Sequence, residues 1–247
     1  MVLQDGDQLL ISADRYAGTI QVRVEGAHSG EHAIVLPYGA SMADVLTKIQ
    51  ANSMSRVDAL QLYRKSVAER QKAMLEQALQ KLQEAALSAR SATKEEADLR
   101  VKEAELIERF VAKASKIEPR GQVVLNQDNL YATLLEDGDV IRIPEKTSVV
   151  MVHGEVMFPN AVSWQQSLKV NDYIERVGGY VQGAQNTRLI LLKQNGETQT
   201  ATSRTQIAAG DEIMVLPKIE SKNIEVTRGI SQILYQIAVA AKVVFNL

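Results

Sequence analysis

The sequence predicts an α+β protein built from one small β-rich unit used twice, with a helical insertion in the first use and a helix at the end. Three observations predict it. A short glycine–aspartate phrase recurs three times, residues 65–118 change to helix-forming composition, and the last two dozen residues repeat apolar side chains at helical spacing.

The phrase Leu3-Gln-Asp5-Gly6-Asp7-Gln-Leu-Leu-Ile11 returns as Leu135-Glu-Asp137-Gly138-Asp139-Val-Ile-Arg-Ile143, and again as Ala208-Ala-Gly210-Asp211-Glu-Ile-Met-Val215. Each copy is a turn feeding an alternating apolar strand, and internal repeats define an architecture before any single residue does. The strand Ile20–Val24, closed by Gly26, matches Val149–Val152, closed by Gly154, and from there the copies run at an offset of 128. Ala33 falls on Ala161, Asp44 on Asp172 and Leu46 on Ile174. Each copy then gives a short amphipathic helix, Met42–Ile49 and Val170–Val177, and a third strand, Leu60–Tyr63 and Leu189–Leu192. The second copy turns at Asn195-Gly196, a strong hairpin signal. In the first copy roughly residues 65–118 replace that turn.

The division expected is 1–16 as the closing strand of a preceding unit, 17–146 as the first repeat with its insertion, 147–218 as the second repeat and 219–247 as the terminal helix. A lone closing strand cannot bury its own apolar face, so the expectation is a chain cut from a longer protein. Residues 1–6 lack the basic and apolar regions of a signal peptide, which in a cut chain carries no information about compartment.

The insertion has no glycine before Pro119-Arg-Gly121 and is dominated by Ala, Glu, Gln, Lys, Leu and Arg, all strong helix formers. Leu75, Leu79 and Leu82 recur on one face; Leu99, Leu106, Ile107, Phe110 and Val111 form a second. Thr93 and Glu96 have capping-box spacing. Two antiparallel helices meeting near residues 88–93 follow, packed through Leu75, Leu79, Leu82, Leu99, Leu106 and Phe110, each about 38 Å long. Such a hairpin is either a solvated appendage or a docking arm; long ordered insertions often carry function.

From Val226 onward, Ile230, Ile233, Leu234, Ile237, Ala238, Ala241, Val244 and Phe245 make a broad apolar face. Arg228, Ser231, Gln232, Tyr235, Gln236, Lys242 and Asn246 make a narrower polar stripe. Three arrangements satisfy such a helix: docking on its own domain, lying in a membrane interface, or joining a ring of copies with polar stripes toward water and apolar faces toward lipid.

Composition narrows the functions. A net charge of −2 argues against a nucleic-acid binder, which carries a basic face. Zero cysteines remove disulfides, zinc–thiolate sites and cysteine nucleophiles. An aromatic content of 4% offers little for base stacking. His28 and His32 flank Ser29-Gly30 without further ligands, Gly178-Gly179 reads as a helix C-cap, and Asp7, Asp139 and Asp211 read as turn residues. Ser163 and Ser167 lack a histidine–acid pattern. No nucleophile, base and oxyanion donors assemble, so neither catalysis, a metal nor a cofactor is expected.

The phrase Val149-Val-Met-Val-His-Gly154-Glu-Val-Met-Phe-Pro159, the helix end Ile174-Glu-Arg-Val-Gly178-Gly179 and the closing Ala209-Gly-Asp-Glu-Ile-Met-Val-Leu-Pro217 resemble a soluble-ligand-binding β-grasp (SLBB) domain. Two such domains followed by an amphipathic helix resemble the outer-membrane polysaccharide export family, the Wza-like proteins. The insertion and the tail Ile233–Val244 are most similar to its KpsD-like branch, which serves ATP-driven capsule export. The resemblance implies two β-grasp repeats in a periplasmic and outer-membrane homo-oligomeric ring of a Gram-negative bacterium, passing capsular polysaccharide passively. It also implies an inner-membrane polysaccharide co-polymerase as partner, met by the hairpin, and terminal helices that cross the outer membrane. In that ring Ile230, Ile233, Leu234, Ile237, Ala241, Val244 and Phe245 would face lipid, and Gln232, Gln236 and Asn246 the lumen. The other reading is a periplasmic glycan-binding or adaptor module with its last helix docked on its own domain.

Overall fold

The computed structural model describes residues 18–88, 94–125, 128, 130–184, 188–217 and 224–241. The first copy of the recurring phrase lies outside them. The first unit contains β1 (Thr19–Gly26), β2 (Ala33–Pro37), α1 (Met42–Leu46), β3 (Gln61–Tyr63), α2 (Lys65–Ser88), α3 (Lys94–Ala114), β4 (Gln122–Val123) and β5 (Val140–Ile143). The second contains β6 (Val149–Gly154), β7 (Asn160–Ser163), α4 (Val170–Arg176), β8 (Leu189–Leu192), β9 (Thr198–Ala201) and β10 (Glu212–Val215); α5 (Ile224–Ala241) follows. The protein is α+β, and its two five-stranded mixed sheets fit two β-grasp-like repeats.

The sheets follow one path: β2-β1-β5-β3-β4 in the first and β7-β6-β10-β8-β9 in the second. In each, the first strand pairs in parallel with the last and every other pairing is antiparallel. Alternation along the strands aims Ile20, Val22, Val24, Leu62, Ile141 and Ile143 into one core and Val150, Val152, Leu191, Ile213 and Val215 into the other. Helix α1 or α4 closes each core with Met42 and Val45 or with Tyr173 and Ile174. Both helices start alike: the Ser41 N–H donates to Asp44 Oδ2 at 2.7 Å, and the Lys169 N–H to Asp172 Oδ2 at 2.8 Å.

The glycines that close the first strand of each sheet have a steric reason to be there. Gly26 and Gly154 sit at φ of 96° and 93°, and a Cβ on either would lie 2.1 Å from a backbone oxygen, that of Ile143 or Val215. That oxygen belongs to the parallel partner strand, so only glycine permits this pairing.

The recurring aspartates also hold equivalent turns. Asp139 Oδ2 accepts the Glu136 N–H at 2.9 Å, and Asp211 Oδ2 accepts the Ala208 N–H at 2.8 Å. Their charge partners differ. Arg64, directly after β3, forks onto Asp139 through Nε at 2.9 Å and Nη2 at 2.7 Å. Lys193, directly after β8, turns instead to Glu197 at 2.6 Å. Asp139 is 1% exposed and Asp211 6%, so each carboxylate is desolvated, but only Asp139 has a bidentate cation. Burial accordingly pushes the Asp211 carboxyl above its ordinary 3.8, against weaker opposing pulls from the Ala208 N–H, Lys193 and Arg56.

The sign for Asp211 follows from linkage. The folded state holds its proton to higher pH than the unfolded chain, so stability falls as pH rises from the ordinary carboxylate value through the raised folded one. Asp139→Asn should therefore lower unfolding free energy at neutral pH by roughly 1.5–3 kcal/mol, the cost of charged hydrogen bonds lost in a buried site. Asp211→Asn should match or exceed the parent at neutral pH and lose that advantage near pH 3.8. Urea denaturation of both variants at the two pH values checks this; equal losses would show that Arg64 does not distinguish the two turns.

Candidate functional site: the terminal helix between the hairpin and the second sheet

Two features bring the hairpin back onto the body of the molecule. Arg64 joins the start of α2 to the turn before β5, adding Glu136 at 3.0 Å to its Asp139 fork. Lys72 on α2 donates to the carbonyl oxygens of Ser115 and Ile117 at 2.7 and 2.8 Å and pairs with Glu118 at 2.9 Å. A lysine among terminal carbonyls satisfies acceptors that the end of α3 leaves open. These bonds place the start of α2 beside the end of α3, so the helices run antiparallel.

Their facing side chains form a cluster of Leu75, Leu79, Leu82, Ile107, Phe110 and Ala114. Leu106 departs from the sequence expectation: it is 64% exposed, and Ile107 takes the buried place. One residue turns a helix by about 100°, which is enough to exchange the two. The side chain of Leu99 lies outside the described residues.

Helix α5 completes this cluster. Val226, Ile230, Ile233, Leu234 and Ile237 are buried against the hairpin, and Gly229 lets α2 approach, with Leu82 Cδ1 3.3 Å from where a Cβ would stand. The opposite side of α5 lies on the second sheet, where Ala238 and the partly buried Tyr235 meet Ile190, Leu192, Met214 and Leu216. The Arg120 N–H donates to the Ala240 carbonyl at 3.0 Å, tying the end of α5 to the exit of the hairpin.

The residues expected to face lipid thus have a protein seat in this chain. Ile230, Ile233, Leu234 and Ile237 all point into the hairpin cluster; Val244, Phe245 and the side chain of Ala241 lie outside the described residues. Of the lumen candidates, Gln232 is exposed, Gln236 is half-buried with its Oε1 buried and unbonded among the described residues, and Asn246 lies outside them. Gln232 and Gln236 line one open groove of about 500 Å³ between α2 and α5, with Lys81 and Arg228 at its sides. Tyr235, assigned to the polar stripe by spacing, lies against the second sheet. Sequence reading passed over the seat on that sheet, although four consecutive apolar residues, Leu189–Leu192, signal a strand covered on both faces.

No helix among the described residues is long and apolar enough to cross a membrane. The 18 residues of α5 span about 27 Å. His28 Nε2 and His32 Nδ1 both approach the Val24 carbonyl, at 3.1 and 3.3 Å, and no group of potential metal ligands gathers among the described residues. His153 lies 3.6 Å from Glu212; burial holds its imidazole below the ordinary range, and the Glu212 charge opposes that shift.

No family model matches the chain. Two polysialic acid transport proteins KpsD of Escherichia coli are each 65% identical to it over 246 residues, all of this chain and 44% of each relative. Over its whole length the chain is thus similar to part of these KpsD proteins. It spans less than half the length of the KpsD proteins it matches. The similarity runs through both sheets, the hairpin and α5, so it covers the docking surface as well as the repeats.

The docked state of α5 rests on a few large side chains. Ile233→Ala should lower stability by about 2–5 kcal/mol, the range for truncating a buried aliphatic residue. It should also raise amide exchange along Leu75–Leu82. Exchange measured by mass spectrometry checks this; protection of α2 unchanged in the variant would mean that α5 does not hold the hairpin.

Proposed function

We propose that this chain is part of a polysaccharide export protein acting in the periplasm and outer membrane of a Gram-negative bacterium. Residues 17–146 and 147–218 serve as its two SLBB repeats and 219–247 as its terminal segment. Transport is passive: copies assemble into a ring, an inner-membrane co-polymerase of an ATP-driven exporter delivers the polymer, and the hairpin meets that partner. The observation that carries the reading is 65% identity, over the whole of this chain, to proteins named for polysialic acid transport. The two-faced α5 supports the ring, because its apolar side can face lipid while Gln232 and Gln236 face a hydrated path.

The contacts of α5 favour a second reading. Its apolar face already has a seat on the hairpin, as expected of an adaptor or glycan-binding module whose last helix stays on its own chain. One face cannot meet lipid and the hairpin together. In the conduit, α5 must therefore leave the hairpin, giving up burial worth roughly 1.5–3 kcal/mol for each large apolar side chain, which lipid contact and neighbouring copies replace.

The two readings separate by cross-linking, since these 247 residues contain no cysteine and any cysteine elsewhere in the full-length protein can be replaced by serine. Lys81→Cys and Arg228→Cys place thiols on either side of the α2–α5 groove. In the full-length protein, a short bismaleimide should join them in soluble subunits and fail to join them in the membrane-extracted oligomer. Joining before assembly should abolish surface polysaccharide. Equal cross-linking in both states, with export intact in the joined protein, would falsify the conduit reading and leave the adaptor.

A further inference from the structure

The two repeats share a register but not an outer face. Aligned on their third strands, Gln61 and Tyr63 of β3 correspond to Ile190 and Leu192 of β8, and Arg142 of β5 corresponds to Met214 of β10. In the second repeat these positions are apolar and α5 covers them. In the first repeat they are polar, and with Arg120, Gln194 and Glu212 they line an open cavity of about 400 Å³ where the repeats meet. That volume lies within the usual range for small-ligand sites, about 300–1,000 Å³.

The lining has a definite chemistry. Arg120 and Arg142 line the cavity together with Tyr63, whose hydroxyl donates to Gln61 Oε1 at 2.7 Å. Each guanidinium carries five N–H donors, and a phenol oxygen accepts few of them, so forked donors remain for a ligand. The Gln61 amide donates to the Gln194 carbonyl, and Gln194 Nε2 donates to the Glu145 carbonyl at 2.9 Å, which fixes the wall across the junction. Gln194 Oε1 is buried and has no hydrogen-bond partner among the described residues. Glu145 and Glu212 also line the cavity, and Glu212 faces His153 at 3.6 Å. Two carboxylates balance two guanidiniums, which disfavours a dianion such as phosphate. A singly charged carboxylate surrounded by hydroxyl donors suits both signs: Arg120 and Arg142 fork onto the carboxylate, while Glu145 and Glu212 accept hydroxyls.

The geometry points to a binding site for a carboxylate-bearing sugar unit in this cavity, with Arg120 and Arg142 as its specificity-determining residues. The choice of a saccharide rests on the export reading above. Within that reading the junction is a contact point for polymer, separate from the terminal helix.

The test is titration calorimetry of the full chain with a trimer of linked sialic acid and with a neutral trisaccharide. The acidic trimer should bind at least ten-fold more tightly than the neutral one. Arg120→Gln with Arg142→Gln, checked for unchanged thermal unfolding, should weaken the trimer at least ten-fold, and added salt should weaken it further. Arg142→Gln alone serves if the pair fails to fold. No heat of binding, equal affinity for the neutral sugar, or affinity unaffected by the arginine variants each overturns the site. The export reading is scored independently by surface polysaccharide in cells lacking the full-length protein: polymer still displayed there overturns that reading, whatever the calorimetry gives.

Discussion

The arrangement depends on one helix with two apolar seats. Neither seat is closed without α5. The hairpin presents Leu75, Leu79, Leu82, Ile107 and Phe110 along one side, and the second sheet presents Ile190, Leu192, Met214 and Leu216 on the face away from its core. These surfaces come from different repeats, one from an insertion and one from a strand face. Among the described residues only α5 contributes to both clusters, with Ile233 and Ile237 on one side and Tyr235 and Ala238 on the other. Helix α5 therefore adds an apolar tie between hairpin and second sheet to the polar ones at Arg64 and across the junction. Any event that moves α5 exposes two apolar surfaces at once, and exposed patches of that kind mark interaction sites.

Much of this was legible in the sequence because it is governed by local rules. The glycines at 26 and 154 announce a strand end where a side chain has no room. Asp44 and Asp172, matched by the repeat offset, hold equivalent helix starts through the same N–H contact. Composition alone marks the insertion, and α2 and α3 fall within 65–118. Tertiary choices were less legible. Leu106 and Ile107 are adjacent and equally apolar, so periodicity could not say which would face the partner helix. The polar stripe on α5 misplaced Tyr235, because a tyrosine ring can pack while its hydroxyl stays near water. The apolar face of α5 showed that the helix needs cover, but spacing carries no information about which surface supplies it.

The duplicated phrase also shows how a repeat diverges without losing its fold. Asp139 and Asp211 hold the same turn through the same backbone donor. The residue after the third strand is cationic in both copies, yet Arg64 reaches the aspartate and Lys193 does not. Arginine presents a planar fork that fits a carboxylate, whereas lysine is a point charge satisfied by the nearer Glu197. The first copy needs the stronger tie because Arg64 lies directly ahead of α2, where the hairpin pulls away from the sheet. In the second copy a short turn at Asn195-Gly196 makes the same connection and places no comparable demand on that corner.

The same divergence governs the outer faces of the sheets. A duplicated unit inherits equal faces, and each must end up solvated, packed or occupied. The second sheet is apolar at Ile190, Leu192 and Met214 and has α5 as its cover. The first is polar at Gln61, Tyr63 and Arg142 and is open at the junction. Making both faces apolar would require two covering helices, and the chain supplies α5 to one sheet only among its described residues. Keeping both polar would leave α5 without its second seat. The asymmetry lets one helix bind the molecule together while the polar face beside it stays accessible, and Arg120 adjoins both, with its backbone on Ala240 and its side chain in the cavity lining.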